Sequence, residues 1–229
     1  MPSSPAEAHT SVLALVPCWD MLNHAAGPMT TTVDCEASVL STVTATSVAA
    51  GEEIFMCYGT RSNVSFLLYS GFVPKDNPYH RTLALVIDPA WSLDTFLRDD
   101  PLAKAKLLLL NQHKLSSVLE GGGGGLVVHL AREEGTIRCH RRKALQIICM
   151  SKDEVAWTFR NPTVVEVGEV TRASVEDKLT SAITRRHGLL AIALGKARDI
   201  DSMASVSIVR LIRMEQAMLK AFDVTSCDE

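Results

Sequence analysis

Two stretches decide how this chain is read: Pro17-Cys18-Trp19-Asp20-Met21-Leu22-Asn23-His24-Ala25-Ala26-Gly27, and Gly51-Glu52-Glu53-Ile54-Phe55-Met56-Cys57-Tyr58-Gly59-Thr60-Arg61-Ser62-Asn63, which continues to Gly71-Phe72. The first follows the apolar run VLALV at 12–16; the second encloses the apolar run EIFMCY at 53–58, entered through a turn at Gly51. Taken singly, their residues are ordinary. An Asn-His pair commonly satisfies backbone groups in a turn. A tyrosine in an apolar strand is commonly core, and an arginine such as Arg61 is commonly a solvated surface charge. The information lies in their combination.

Working outward, the first ~78 residues carry strand and turn signals. The runs 12–16, 38–48 (SVLSTVTATSV) and 53–58 predict strands of a small sheet. Ser62 or Asn63 can cap a short helix that Gly71 ends. Residues 82–87 (TLALVI) predict one more strand. Beyond them the chain reads as mainly helical: 101–119 with Pro101 in a first helical position, 141–150, a helix capped by the Ser151/Glu154 box, then about 174–198 and 203–222. In the last of these, Ile208, Leu211, Ile212, Leu219 and Phe222 recur at helical spacing and predict core packing. Residues 163–170 give no clear pattern. The boundary between the halves falls near 75–80.

Composition excludes several classes. The chain has 229 residues with 23 Lys and Arg against 26 Asp and Glu, a net charge of -3 that argues against binding nucleic acid or anionic lipid by bulk electrostatics. The Arg138–Lys143 cluster reads as a solvated helix start, and Cys139-His140 as an exposed basic loop. No apolar run approaches the ~18 residues of a membrane span. The tail 1–10 (MPSSPAEAHT) reads as disordered and lacks the basic and apolar regions of a secretory signal. Six cysteines without a CxxC pair predict reduced thiols in the cytosol or nucleus and no metal site. The run Gly121–Gly125 lacks the Lys-Ser/Thr or GxGxxG setting of a phosphate-cradling loop and reads as a flexible insertion.

Together, the Asn23-His24 turn, Gly51-Glu52-Glu53, the strand after it and Tyr58-Gly59 resemble the C-terminal half of a SET-domain methyltransferase. The likeness is to the branch with a helical, Rubisco-methyltransferase-type substrate-binding domain. Trp19-Asp20-Met21 and Tyr58-Gly59-Thr60-Arg61-Ser62-Asn63 are most similar to its actin-histidine members. The resemblance is strong over 12–73 and weaker over 140–155 and the last helices. It implies an α+β chain: a C-terminal portion of a β-rich SET domain at 11–78, then an all-α substrate-binding domain at 79–229.

The resemblance also implies roles. Asn23 and His24 would hold S-adenosyl-L-methionine, with Phe72 packing near its adenine. Tyr58 would stand at the methyl-transfer channel, and Trp19 and Arg61 would line the substrate groove. The expected partner is a protein substrate, actin-like for preference, with histidine as the target and lysine second. Methyl transfer from a sulfonium to neutral nitrogen is chiefly a matter of positioning. A histidine of ordinary pKa ~6.5 is already mostly neutral, whereas neutralising a lysine near pH 7.4 costs about 4 kcal/mol. The family's SET domain begins well upstream of the part matched here and supplies a further glycine-bearing cofactor segment. The chain is therefore expected to be a C-terminal portion; the alternative reading is a non-catalytic protein-binding module derived from such an enzyme.

Overall fold

The computed structural model describes residues 16–28, 30–44, 46–116, 125–199 and 203–225. The tail at 1–10, most of the 12–16 run, Gly121–Gly124 and Cys227 lie outside the described residues. The chain divides into two compact units, residues 1–61 and 62–229, so by packing the division falls earlier than the 75–80 read from the sequence.

The first unit holds four short strands: β1 (Asn23–His24), β2 (Thr31–Asp34), β3 (Val39–Thr42) and β4 (Phe55–Met56). β2 and β3 form an antiparallel hairpin, with Thr31 opposite Thr42. β1 and β4 pair in parallel, with Asn23 opposite Phe55 and His24 opposite Met56. The strands expected at 38–48 and 53–58 are thus real but much shorter. A β-former extends as strand only where a neighbour takes up its backbone groups, and here pairing stops at Thr42 and Met56. Among the described residues of this unit, only Met56 is buried.

The second unit opens with α1 (Asn63–Ser70), as its caps predict. The Ser62 hydroxyl accepts the Ser65 amide, and Gly71, at φ 77°, closes the helix by donating to the Leu67 carbonyl. Then come β5 (Thr82–Asp88), α2 (Leu93–Asp99), α3 (Ala103–Gln112), β6 (Leu126–Glu133), β7 (Thr136–His140), α4 (Arg142–Cys149), α5 (Lys152–Arg160), α6 (Glu169–Arg198) and α7 (Met203–Ala221).

The expectation of an all-α region at 79–229 is corrected here. β5, β6 and β7 form a three-stranded antiparallel sheet in that order. The second unit is therefore mixed α and β. The sheet is legible in retrospect. Leu83, Leu85 and Ile87, then Leu126, Val128 and Leu130, then Ile137 and Cys139 are the buried alternate residues of the three strands. Glu134 (φ 47°) and Gly135 (φ 88°) make the two-residue turn between β6 and β7, the positive-φ pair that hairpins prefer. Cys139 is accordingly a buried strand residue rather than part of an exposed basic loop.

The Arg142 reading is corrected too. Its side chain is buried, donating from Nη1 to the Val224 carbonyl at 2.8 Å with the Glu176 carboxylate 3.7 Å from Nη2. The predicted 101–119 helix is also shorter, since Pro101 lies in the turn between α2 and α3. Lys106 on α3 is buried, its ammonium held by Asp100 at 2.8 Å and by the Ile148 carbonyl at 2.9 Å.

One apolar core binds this sheet to α3, α4, α6 and α7; Leu109, Leu145, Ile147, Val175 and Leu179 are almost wholly inaccessible within it. Ile212 and Leu219 of α7 and Phe222 just after it join the core as the helical spacing predicts, with Ile208 packed at its edge, whereas Leu211 is only half-buried and outside it. No helix among the described residues is long and apolar enough to cross a membrane.

The Ser151/Glu154 capping box forms as expected, and Glu154 does more than cap α5. Its carboxylate accepts the Ser151 amide at 2.7 Å, the Gly168 amide at 2.6 Å and the Thr171 hydroxyl at 2.7 Å, so one side chain organises the starts of α5 and α6. This is why α6 begins at Glu169, ahead of the expected 174. Partial burial raises the Glu154 pKa, but these hydrogen bonds outweigh it and hold the carboxyl below its usual 4.5. Glu154→Gln is expected to cost about 2 kcal/mol. Because the folded-state pKa is depressed, the ionised group's contribution is complete above pH 4.5 and is lost as pH falls through the folded value. Urea unfolding at pH 7 and at pH 3 checks this: the gap between parent and variant should narrow at the lower pH.

Candidate functional site

The first unit gathers the residues singled out by the sequence. A tight turn enters β1: the Met21 amide donates to the Cys18 carbonyl at 3.3 Å and the Leu22 amide to the Trp19 carbonyl at 3.3 Å, with Cys18 at φ 68°. Trp19 donates from its indole nitrogen to the Thr31 hydroxyl at 3.3 Å, and that oxygen lies 3.0 Å from the Thr42 hydroxyl. The turn is thereby tied to the β2–β3 hairpin.

The parallel pairing of β1 with β4 is what brings Asn23 and His24 beside Tyr58. The Ala25 amide continues the pairing to the Met56 carbonyl at 3.0 Å. One step further along the chain, the Tyr58 amide donates to His24 Nδ1 at 3.2 Å. The Tyr58 hydroxyl donates back to the Leu22 carbonyl at 2.7 Å, and the two rings stand 5.2 Å apart at 44°. Tyr58 is therefore fixed at both ends by the residues flanking Asn23.

Accepting an amide proton requires a neutral His24 imidazole. Burial pushes the His24 pKa below its usual 6.5; the hydrogen bond to the Met56 backbone pulls it up and the nearby Arg61 guanidinium pushes it down, with the net shift downward. The neutral ring's stabilisation is complete above pH 6.5 and is lost as pH falls through the folded-state value. Two-dimensional NMR of the imidazoles is expected to give His24 a titration midpoint below 6.5; a midpoint at or above it would contradict the acceptor role.

Arg61 is exposed and ends the first unit, its amide donating to the Gly59 carbonyl at 3.0 Å. Phe72 belongs to the second unit, directly after the Gly71 cap, where its ring stands 5.4 Å from that of the buried Phe66. Asn23, His24, Tyr58 and Arg61 thus share one neighbourhood, Trp19 holds the turn that feeds it, and Phe72 is packed within the other unit.

Sequence reasoning missed Glu53. Asn23 Nδ2 donates to its carboxylate at 2.5 Å, across the β1–β4 pair. Glu53 also lines an open cleft of about 630 Å³ with Glu52, Gly27, Thr30, Phe55 and Met56. The signal is the doubled carboxylate of Gly51-Glu52-Glu53, which the sequence places in the motif without giving Glu53 a partner. The volume is within the range of small-molecule sites, and an apolar wall with two carboxylates suits a ligand that carries positive charge and hydroxyl groups. No group of three or more histidines, cysteines or carboxylates able to hold a metal ion occurs among the described residues.

The backbone fold is similar to that of a SET domain. Over 93% of its length the chain matches the SET domain of LSMT bound to lysine and AdoHcy, with a TM-score of 0.51, 19% identity and 49% of that chain covered. In sequence, part of the chain is similar to actin-histidine N-methyltransferases. It is 40% identical over 76 residues to that of Danio rerio (33% of this chain, 13% of that protein) and 44% identical over 69 residues to that of Homo sapiens (30% and 12%). The Gallus gallus enzyme gives the same 44% over 69 residues. The matched stretch is thus a small part of those relatives' length. No protein-family model matches the chain. Backbone shape gives the likeness to a SET domain, and residue identity gives the likeness to actin-histidine N-methyltransferases.

Proposed function

We propose that the chain is part of an S-adenosyl-L-methionine-dependent protein N-methyltransferase, acting on a histidine in an actin-like protein, with lysine as the second choice of target. The observation that carries the reading is the pair of hydrogen bonds by which Leu22 and His24, on either side of Asn23, hold Tyr58 beside the β1–β4 pair. When bound, S-adenosyl-L-methionine supplies a methyl group activated by a sulfonium.

The residues' parts follow from their bonding. Glu53 orients the Asn23 amide and, with Glu52, gives the cleft a negative wall suited to a cationic ligand. His24, kept neutral, holds the Tyr58 backbone in place. The Tyr58 hydroxyl donates its proton to the Leu22 carbonyl, so toward a reactant it can act only as an acceptor. Such an acceptor aligns polarised C–H or N–H groups of reactants without becoming a nucleophile. No strong base is needed if the target is imidazole, which is mostly neutral at pH 7.4. Trp19 and Arg61 as groove residues and Phe72 as the adenine-packing ring are parts of the same proposal that rest on the resemblance, and a cytosolic or nuclear location is a part that rests on the cysteine pattern.

Actin incubated with the chain and S-adenosyl-L-methionine, then digested and analysed by mass spectrometry, tests it. The expected result is 14 Da added to a histidine (the mass of one CH₂). Addition to lysine alone would move the target to second choice, and an unmodified actin would remove the substrate assignment.

A second reading, the non-catalytic binding module, draws support from the uneven burial. The second unit has a large continuous core, whereas Met56 is the only described residue buried in the first. Calorimetric titration with S-adenosyl-L-methionine separates the two: saturable binding near 1:1 supports the enzyme, and none by a folded sample supports the module.

A further inference from the structure

The second unit has a cleft of about 600 Å³ formed by the last turn of α6, the exposed side of α7 and the segment after α1. Four cationic side chains line it: Lys75, Arg198, Arg210 and Arg213. No acidic residue does among the described ones, although the chain as a whole carries a net charge of -3. Asp76 and Asp199 adjoin Lys75 and Arg198 in the chain but are not among the lining residues. Arg210 is anchored, donating from Nη1 to the Val73 carbonyl. No ion pair among the described residues takes up Lys75, Arg198 or Arg213.

Helix-end electrostatics explain part of this. A cation in the last turn of a helix is favoured by the backbone dipole, which accounts for Arg198 at the end of α6. It does not account for Arg213, which lies in the interior of α7, or for Lys75, which lies in a loop. Between the cations, Val206, Val209 and Met214 form an apolar wall, and Val206 is 55% exposed. Like charges gathered on one cleft repel one another, and an oppositely charged occupant relieves that repulsion.

We propose that this cleft docks an acidic segment of a partner protein, one in which an apolar side chain stands among carboxylates. The carboxylates would pair with Lys75, Arg198 and Arg213, and the apolar residue would cover Val206 and Val209. Nucleic acid is the poorer match: among the described residues, the cleft has no aromatic side chain on which a base could stack. The inference stands apart from the methyl-transfer reading, since none of these residues belongs to the Asn23–Tyr58 neighbourhood.

Fluorescence anisotropy of the full chain with a labelled (Glu-Glu-Leu)₄ peptide tests it. Saturable binding is expected, weakened about tenfold by Arg213→Glu and by Lys75→Glu separately, and about tenfold in the (Gln-Gln-Leu)₄ peptide. Both positions are exposed, and thermal unfolding of each variant checks that it folds. The proposal is overturned by no binding, by equal affinity for the two peptides, by binding unchanged in whichever variants fold, or by tighter binding of an oligothymidylate of equal length.

Discussion

Tyr58→Phe is expected to lower the rate of methyl transfer about a hundredfold while leaving the protein folded. The size follows from what the hydroxyl is positioned to do. It donates to the Leu22 carbonyl at 2.7 Å, which fixes the oxygen in place and makes it an acceptor toward any reactant. A preorganised acceptor of this kind contributes most where charge is redistributed in the transition state, and its removal typically costs about 3 kcal/mol of barrier. The loss to stability is smaller, about 1 kcal/mol, because the change deletes one partly buried hydrogen bond and keeps the ring beside His24. Methylation rates from mass spectrometry, read beside unfolding midpoints, separate the two effects. A rate loss under threefold in a folded variant removes Tyr58 from the chemistry and leaves it a structural residue.

Gly125→Ala is expected to be among the most destabilising single changes in the second unit, at about 4 kcal/mol. Gly125 sits at φ 81°, immediately before β6. A Cβ there would collide with the Asp88 carbonyl oxygen and come within 2.8 Å of Pro89 Cα. Neither can retreat cheaply. The Asp88 carbonyl already accepts the Trp91 amide at 3.3 Å, and the β5 carbonyls just before it, Val86 and Ile87, are held by the Arg185 guanidinium. The register between β5 and β6 also shifts here, where Asp88 pairs with Leu126. Gly135→Ala is the matched control. It has a similar φ of 88° but nothing within 4 Å, so strain alone applies, at about 1 kcal/mol. Urea unfolding of the two variants gives the comparison. Equal losses would mean that conformation alone, and not the close approach to Asp88, makes Gly125 necessary.

These two residues also mark where sequence reasoning succeeded and where it stopped. Tyr58 was legible because its surroundings are local: Asn23-His24, a Gly-Glu-Glu turn and a short apolar strand form a pattern that survives without knowledge of contacts. The caps at Ser62, Gly71 and Ser151 were legible for the same reason, since a cap is defined by residues within three or four positions. Gly125 was read as one of five equivalent glycines in an insertion. Its distinctness comes from Asp88 and Pro89, far away in the chain, and no local pattern carries that. Glu53 was passed over similarly, because its partner Asn23 lies thirty residues earlier.

The amino-acid order alone therefore determined the caps of α1 at Ser62 and Gly71 and of α5 at Ser151, the core face of α7, the strand at 82–87 and the two motifs that carry Asn23, His24 and Tyr58. Each depends on side-chain period, on capping chemistry or on a contiguous motif. Tertiary structure alone decided that β6 and β7 join β5 in a sheet, that Arg142 and Lys106 are buried, that α6 begins at Glu169, and that four cations meet in one cleft. The physical reason is common to all four. A strand needs a partner for its backbone groups, a buried cation needs a carboxylate or carbonyl from elsewhere, and a helix start can be set by a distant side chain. Such partners are chosen by the folded chain, and the residue itself does not announce them.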